Sequence, residues 1–231
     1  MSADPRDLAL QAICPCVPVP RFGALTDLAP GQRTLVGRNG VFLEMRRPWL
    51  RCVLKLADLP ASPPLPYGEV CERIEFSFGV IPLALLEQFI AHGREHLPNE
   101  VAGALIYNAG TQRLRLQIHE SIEAGPAGVR YRQPDLAADE CLAVDLHTHG
   151  RLRAFWSGID DEDDQGVKVC GVFGSLHRER PSAAFRLAVN GAFKGLAHPW
   201  QEEAADDLDL AERCPTLASI GFEEVDATWN T

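Results

Sequence analysis

Apolar positions recur at three spacings along the chain, and each spacing predicts a different kind of element. Ile81, Leu85, Leu86, Phe89 and Ile90 form one wide stripe, with Glu87, Gln88, Arg94 and Glu95 turned away from it. That is the signature of an amphipathic helix. Pro82 opens it in the first turn, where the missing N–H costs nothing, and Pro98 stops it. Arg113–Ile118 alternates Arg-Leu-Arg-Leu-Gln-Ile, which predicts an antiparallel strand with one wet face. Short unbroken apolar runs predict buried strands at 99–107, Cys141–Leu146, Val167–Phe173 and Ala184–Val189. Asn190-Gly191 then turns the chain into a last strand, Ala192–Leu196.

The N-terminal part has a different rhythm. Thr34–Val36 and Val41–Met45 flank Gly37-Arg-Asn-Gly40, a hairpin signal, and Leu50–Leu56 follows. Val70–Phe78 adds a further strand. The proline-rich stretch 59–66 cannot sit inside an element and marks a boundary. Three parts are expected: a small β-rich module over 1–70, a main domain over 71–198, and an acidic tail or helix over 199–231. Residues 1–32, rich in proline and turn formers, read as a surface excursion, and 120–140 as a polar loop. The order helix, strands, helix, strands implies an α+β domain whose central sheet is mostly antiparallel or mixed and flanked by helices.

Charge and composition narrow the functional classes. A formal net charge of -10 argues against a nucleic-acid binder, which needs a basic face. No apolar run has the length of a membrane span, and the opening residues lack the basic start of a signal peptide. Seven cysteines, an odd number at irregular spacings, read as reduced thiols and therefore as a cytoplasmic protein.

The chemistry concentrates in the stretch from Asp145 to Asp160. His147 and His149 sit two apart at the end of a predicted strand, so both imidazoles project from one face. A helix start follows, with Ser157 as its cap and Asp160, Asp161 and Glu162 in its first turn. Two imidazoles and the Asp160 carboxylate form an open ligand set for a catalytic Zn²⁺, leaving a fourth position for water. Asp161–Asp164 read as a solvated helix face. A zinc hydrolase also needs a carboxylate to move a proton. Spacing alone does not choose among Glu95, Glu100, Glu120, Glu123 and Glu140. His92 and His96 are four apart, a chelating interval, but no metalloprotease glutamate follows the first of them, and they read as a surface pair.

The full spacing, His-x-His, seven residues, Ser, two residues, Asp, resembles the metal-binding signature of the JAMM metalloproteases, also called MPN+ or Mov34/Pad1. The resemblance implies a cytidine-deaminase-like fold over roughly residues 75–195. It also implies a zinc-dependent isopeptidase or peptidase that hydrolyses an amide bond, processing or removing a ubiquitin-like protein. In that family a glutamate at the mouth of the strand after the first long helix, followed three residues later by glycine, is the base; Glu100 with Gly103 is similar. Ser157 takes the role of hydrogen-bond donor to the oxyanion, and Gly125–Gln133 that of an insertion holding the substrate's extended tail. His-Thr-His-Gly, Ala-Phe-Trp-Ser and Asp-Asp-x-Asp-Asp further resemble the PRTRC system protein A family, plasmid-associated bacterial JAMM proteins found alongside ubiquitin-like and E1-like proteins. A ubiquitin-like protein or its conjugate, and an E1-like protein, are the partners so implied. Many JAMM members carry proline after the second histidine; here it is Gly150, which permits a different loop path without removing a ligand. Two other readings compete. One is an MPN scaffold that keeps metal but acts by protein–protein binding. The other is a deaminase-like hydrolase, against which the missing His-x-Glu and Pro-Cys-x-x-Cys signature argues.

Overall fold

The computed structural model describes residues 4–60, 63–126 and 128–197. The acidic stretch expected over 199–231 lies outside them. The chain divides into two compact units, the first ending at Gly79 and the second beginning at Val80.

The first unit contains α1 (Pro5–Ile13), β1 (Cys16–Pro18), β2 (Gly31–Gly37), β3 (Gly40–Arg46), β4 (Leu50–Ala57) and β5 (Arg73–Phe76). The strands pair in chain order, β1 parallel to β2 and the others antiparallel. Arg38 and Asn39 form the tight turn between β2 and β3, where Gly37 faces Gly40. Val19, Leu35, Phe42 and Val53 make the core. Arg33 is buried among them and holds Glu44 at 2.6 Å, so neither charge is left unpaired. Two differences from the sequence reading stand out. The excursion expected over 1–32 contains α1, started by Asp4, whose carboxylate accepts from the Arg6 amide at 2.8 Å. None of this helix's residues is buried, and Leu8, Leu10 and Ile13 are exposed, so it has no inward stripe to read. The unit also runs past residue 70, because β5 pairs with β4 from Leu50↔Phe76 to Val53↔Arg73.

The second unit contains α2 (Leu83–Glu95), β6 (Ala102–Asn108), β7 (Arg113–Ile118), β8 (Ser121–Gly125), β9 (Gly128–Tyr131), β10 (Glu140–Thr148), α3 (Gly158–Asp163), β11 (Val167–Gly174), β12 (Ser182–Val189) and β13 (Ala192–Leu196). Six strands form one mixed sheet in the order β13-β12-β11-β10-β6-β7. Within it β10 and β11 are parallel, and the other neighbours are antiparallel. The polar loop expected over 120–140 contains the β8–β9 hairpin. Its strands are short and mostly exposed, which hides them from a search for apolar runs. The unit is thus a mixed α+β fold with few helices.

α2 buries Leu86, Phe89, Ile90 and Gly93. Phe89 lies 5.8 Å from Phe173 of β11, and Phe173 meets Phe185 of β12 edge-on. Gly103 of β6 is part of this fit: a Cβ there would stand 3.1 Å from both the Phe89 ring and the Gln117 carbonyl. The parallel β10–β11 pair matters most for function. Parallel neighbours need a crossover, and here the crossover carries α3. β10 and the helix that follows it therefore deliver side chains to the same end of the sheet.

Candidate metal centre

The site begins with β10. His147 is its penultimate residue and His149 lies just beyond its end, and both rings point to one side while Thr148 between them is fully buried. Past His149 the chain reverses. Gly150 has a φ of +53°, and a Cβ there would stand 2.9 Å from the Pro98 carbonyl. Proline, fixed near −65°, cannot occupy this conformation. The returning loop is fastened to the β11–β12 end: the His149 amide donates to Phe173 O at 2.7 Å, Leu176 N to Gly150 O at 3.0 Å, and Ala154 N to the Ser182 hydroxyl at 2.8 Å.

α3 supplies the carboxylate. It has only six residues and buries none of them, too short a helix to stand by itself. A capping box starts it: the Asp160 amide donates to Ser157 Oγ at 3.2 Å, and the Ser157 amide and hydroxyl donate to Asp160 Oδ2 at 2.7 and 2.6 Å. Its far side is held by charge. Arg186 of β12, buried between the rings of Trp156 and Phe193, binds Asp161 at 2.6 Å and Asp164 at 2.7 Å. Lys168 of β11 binds Asp164 at 3.2 Å and Asp145 at 2.6 Å. The acidic run is therefore not simply a solvated face: Asp164 is buried and Asp161 is paired, and together they clamp α3 to the sheet.

These constraints bring His147, His149 and Asp160 together, with donor atoms all within 4.8 Å of one another. The two Nε2 atoms are 3.2 Å apart, His147 Nε2 is 3.1 Å from Asp160 Oδ1, and His149 Nε2 is 3.8 Å from Asp160 Oδ2. Tetrahedral ligands at zinc bond lengths of about 2.0–2.1 Å stand about 3.3–3.4 Å from one another. The two distances from His147 Nε2 are close to that size, while His149 Nε2 stands farther from the carboxylate, and two nitrogens with a carboxylate suit zinc, so the donor set fits the ion. Electrostatics agree. Burial and the neighbouring His147 push His149 down to about 4, keeping one ring-nitrogen lone pair available. Burial alone would raise Asp160, but hydrogen bonds from His147 and Ser157 and the charge of His147 hold it well below the ordinary carboxylate range.

Glu100 is brought to this site by pairing rather than by nearness in sequence. β6 and β10 are antiparallel with Ala102 opposite His147, and continuing that register sets residue 100 opposite 149. Thr148 fastens the junction twice: its amide donates to Val101 O at 3.0 Å, and its hydroxyl accepts the Val101 amide at 3.0 Å. The Glu100 amide donates to Gly125 O at the β8–β9 hairpin. Glu100 is only 7% exposed. Burial pushes its carboxyl up to about 7, with His147 pulling down and Asp160 adding to the rise. Glu120 and Glu123, by contrast, are exposed and pair with Arg132 and Arg130, and Glu140 is held by Arg115. The sequence reading did not single out Thr148, Lys168 or Arg186. The last two reach the site through strand pairing, which no local motif encodes.

Comparisons with known proteins divide along the same line as the units. Residues 82–188 match a family model described as prokaryotic homologs of the JAB domain. The match supports the MPN family for the second unit. Residues 4–77 match DUF2016, a domain of unknown function. No curated protein matches the chain. Among solved structures, the solution structure of protein DSY2949 from Desulfitobacterium hafniense is similar at 17% identity and a TM-score of 0.42, covering 53% of this chain and 92% of that one. Among the described residues, no helix is long and apolar enough to cross a membrane.

Proposed function

We propose that the second unit is a zinc-dependent hydrolase of amide bonds, an isopeptidase or peptidase that processes or removes a ubiquitin-like protein. The observation that carries this reading is the cluster of His147, His149 and Asp160 beside the buried residue Glu100, whose chain segment is fastened to the neighbouring strand through Val101 and Thr148. The match to a JAB-domain family, which includes hydrolases, supports it. So does the motif resemblance, which also suggests the cytidine-deaminase-like arrangement and, through the PRTRC system protein A likeness, an E1-like partner; the cysteines, read as reduced thiols, suggest a cytoplasmic setting.

A Zn²⁺ ion held by His147, His149 and Asp160 would supply Lewis acidity and a water of lowered pKa. Glu100 is the proton carrier. In the metal-free fold burial pushes its carboxyl up to about 7, within reach of proton exchange near neutral pH, and a bound Zn²⁺ would draw that value down. His149, held neutral, and Asp160, held ionised, remain ligands across that range. Ser157 has one hydroxyl proton, and it is donated to Asp160; donation to an oxyanion requires the hydroxyl to turn away from that carboxylate. This commitment of the Ser157 proton is what favours the second reading, a metal-retaining MPN scaffold acting by protein–protein binding.

Metal analysis of the purified protein, paired with turnover of ubiquitin-like conjugates, separates the two. Glu100→Gln is expected to retain zinc while hydrolysis falls by about a hundredfold or more. Undiminished hydrolysis in that variant removes Glu100 from the mechanism. Zinc bound by wild type without hydrolysis of any such conjugate leaves the scaffold.

A further inference from the structure

The C-terminal half of α2 carries another set of metal donors. His92, Glu95 and His96 lie three and four residues apart, so they share one face of the helix. Their donor atoms all lie within 4.8 Å of one another. The rings of His92 and His96 stand 4.2 Å apart, centre to centre. Nδ1 of His96 is 2.8 Å from the His92 carbonyl. A carbonyl only accepts, so Nδ1 carries the proton and Nε2 is left with its lone pair outward. An imidazole oriented by a backbone carbonyl in this way is how proteins prepare a histidine ligand. The set also sits in the last turn of α2, where unpaired carbonyls favour a cation. Glu95 and His96 are exposed and His92 half-buried, so an ion can reach them.

An independent observation comes from the space beside the helix. His92 and His96 wall a cavity of about 310 Å³ shared with Asn99, Glu100 and His119. His119 is 5% exposed, its ring stacks on Tyr131, and neither of its nitrogens has a hydrogen-bond partner among the described residues. A buried imidazole with both nitrogens unmet is costly. The cavity is thus lined by three histidines and Glu100, beside the donors of α2.

We infer that His92, Glu95 and His96 form a second zinc-binding site, distinct from His147, His149 and Asp160 and opening on the cavity that Glu100 lines. Two imidazole nitrogens and a carboxylate select a zinc-like transition ion over magnesium or calcium. Its greater exposure makes it the weaker and more exchangeable of the two sites. Magnesium, which prefers oxygen ligands and keeps its waters, does not compete for it.

The test uses the full chain, stripped of metal and titrated with Co²⁺, with the visible absorption of the bound ion and calorimetry as readouts. Four proteins are compared: wild type, His147→Ala/His149→Ala, Glu95→Gln/His96→Gln, and the combination. Wild type is expected to bind about two ions per chain, each double variant about one, and the combination none above nonspecific uptake. Equal uptake by wild type and Glu95→Gln/His96→Gln at every cobalt concentration overturns the inference. His96→Gln alone, at an exposed position that leaves the α2 core untouched, repeats the measurement independently of any folding defect and is expected to weaken the second ion by at least about tenfold. Failure of the first site has a different signature. In that case wild type and His147→Ala/His149→Ala bind alike, while the ion at α2 is still lost in Glu95→Gln/His96→Gln.

Discussion

Glu100 is the residue on which chemistry and stability pull in opposite directions. Its carboxyl has an ordinary value of 4.5 and is pushed up to about 7 in the fold. Between those values the folded, metal-free chain binds more protons than the unfolded chain, so this residue's contribution to stability is lost as pH rises from 4.5 to about 7. His149 runs the other way. Pushed down from 6.5 to about 4, it stays unprotonated in the fold where the unfolded chain would take a proton, and stability rises with pH across that interval. The Glu100 contribution is isolated by difference. Urea melts of metal-free wild type and Glu100→Gln are expected to show wild type losing ground to the variant as pH rises through this window. A constant difference between the two would mean that the raised carboxyl is not present in the fold. A carboxyl raised this far by burial beside a cluster of metal donors marks a candidate working residue.

At the scale of elements, α3 is a helix that its own sequence cannot stabilise. Six residues with none buried give neither propensity nor packing enough to persist. Asp160 stays in place because Ser157 caps the first turn and because Arg186 and Lys168 hold the carboxylates behind it. Arg186→Met is therefore predicted to leave buried Asp164 with Lys168 alone as its cation and to release Asp161, which is half exposed, to water. Leaving a buried charge wholly unpaired costs about 3–5 kcal/mol; with Lys168 still at Asp164 the loss is smaller, and zinc affinity should fall with it although no ligand has been touched. Chemical denaturation together with a competitive zinc-chelator titration measures both effects. Weakened stability with unchanged zinc affinity would show that the clamp serves the fold alone.

At the scale of the molecule, the two units differ in what a metal can do for them. An ion held on β10 and α3 stabilises the unit that contains them by about 4 kcal/mol at a thousandfold excess over its Kd. Hydrogen exchange is expected to slow at β10 and β11 on adding zinc while β2, β3 and β4 are unchanged. Slowing of equal size in both units would show that zinc acts on the chain as a whole. This division also sets how far the sequence could be read. His147, His149, Ser157 and Asp160 fall within one short stretch, and their relation depends on local spacing alone, so the set was visible directly. The long strands and α2 were visible for the same reason, each carrying its own periodicity. Glu100 was one of five glutamates until the family resemblance chose it, because its place depends on β6 pairing with β10. Arg186 and Lys168 were not visible at all, since their roles arise from strand neighbours in the sheet. α1 and the β8–β9 hairpin escaped because they bury too little to leave a pattern.

The buried threonine between the two histidines has an evolutionary consequence. Its neighbours belong to the candidate metal site while its own side chain, on the opposite face of the strand, bonds the segment that carries Glu100. Position 148 should therefore tolerate serine, which keeps a short hydroxyl, but not valine, which has the same shape and leaves the Val101 amide unmet. Thr148→Val is predicted to hold zinc normally and lose turnover, and Thr148→Ser to recover most of it. Loss of zinc in Thr148→Val would instead assign this residue to the metal shell. Among relatives, a chain that has given up the hydroxyl while keeping both histidines should have been released from selection at its glutamate as well. Variation at these two positions, far apart in sequence, is then expected to be inherited together.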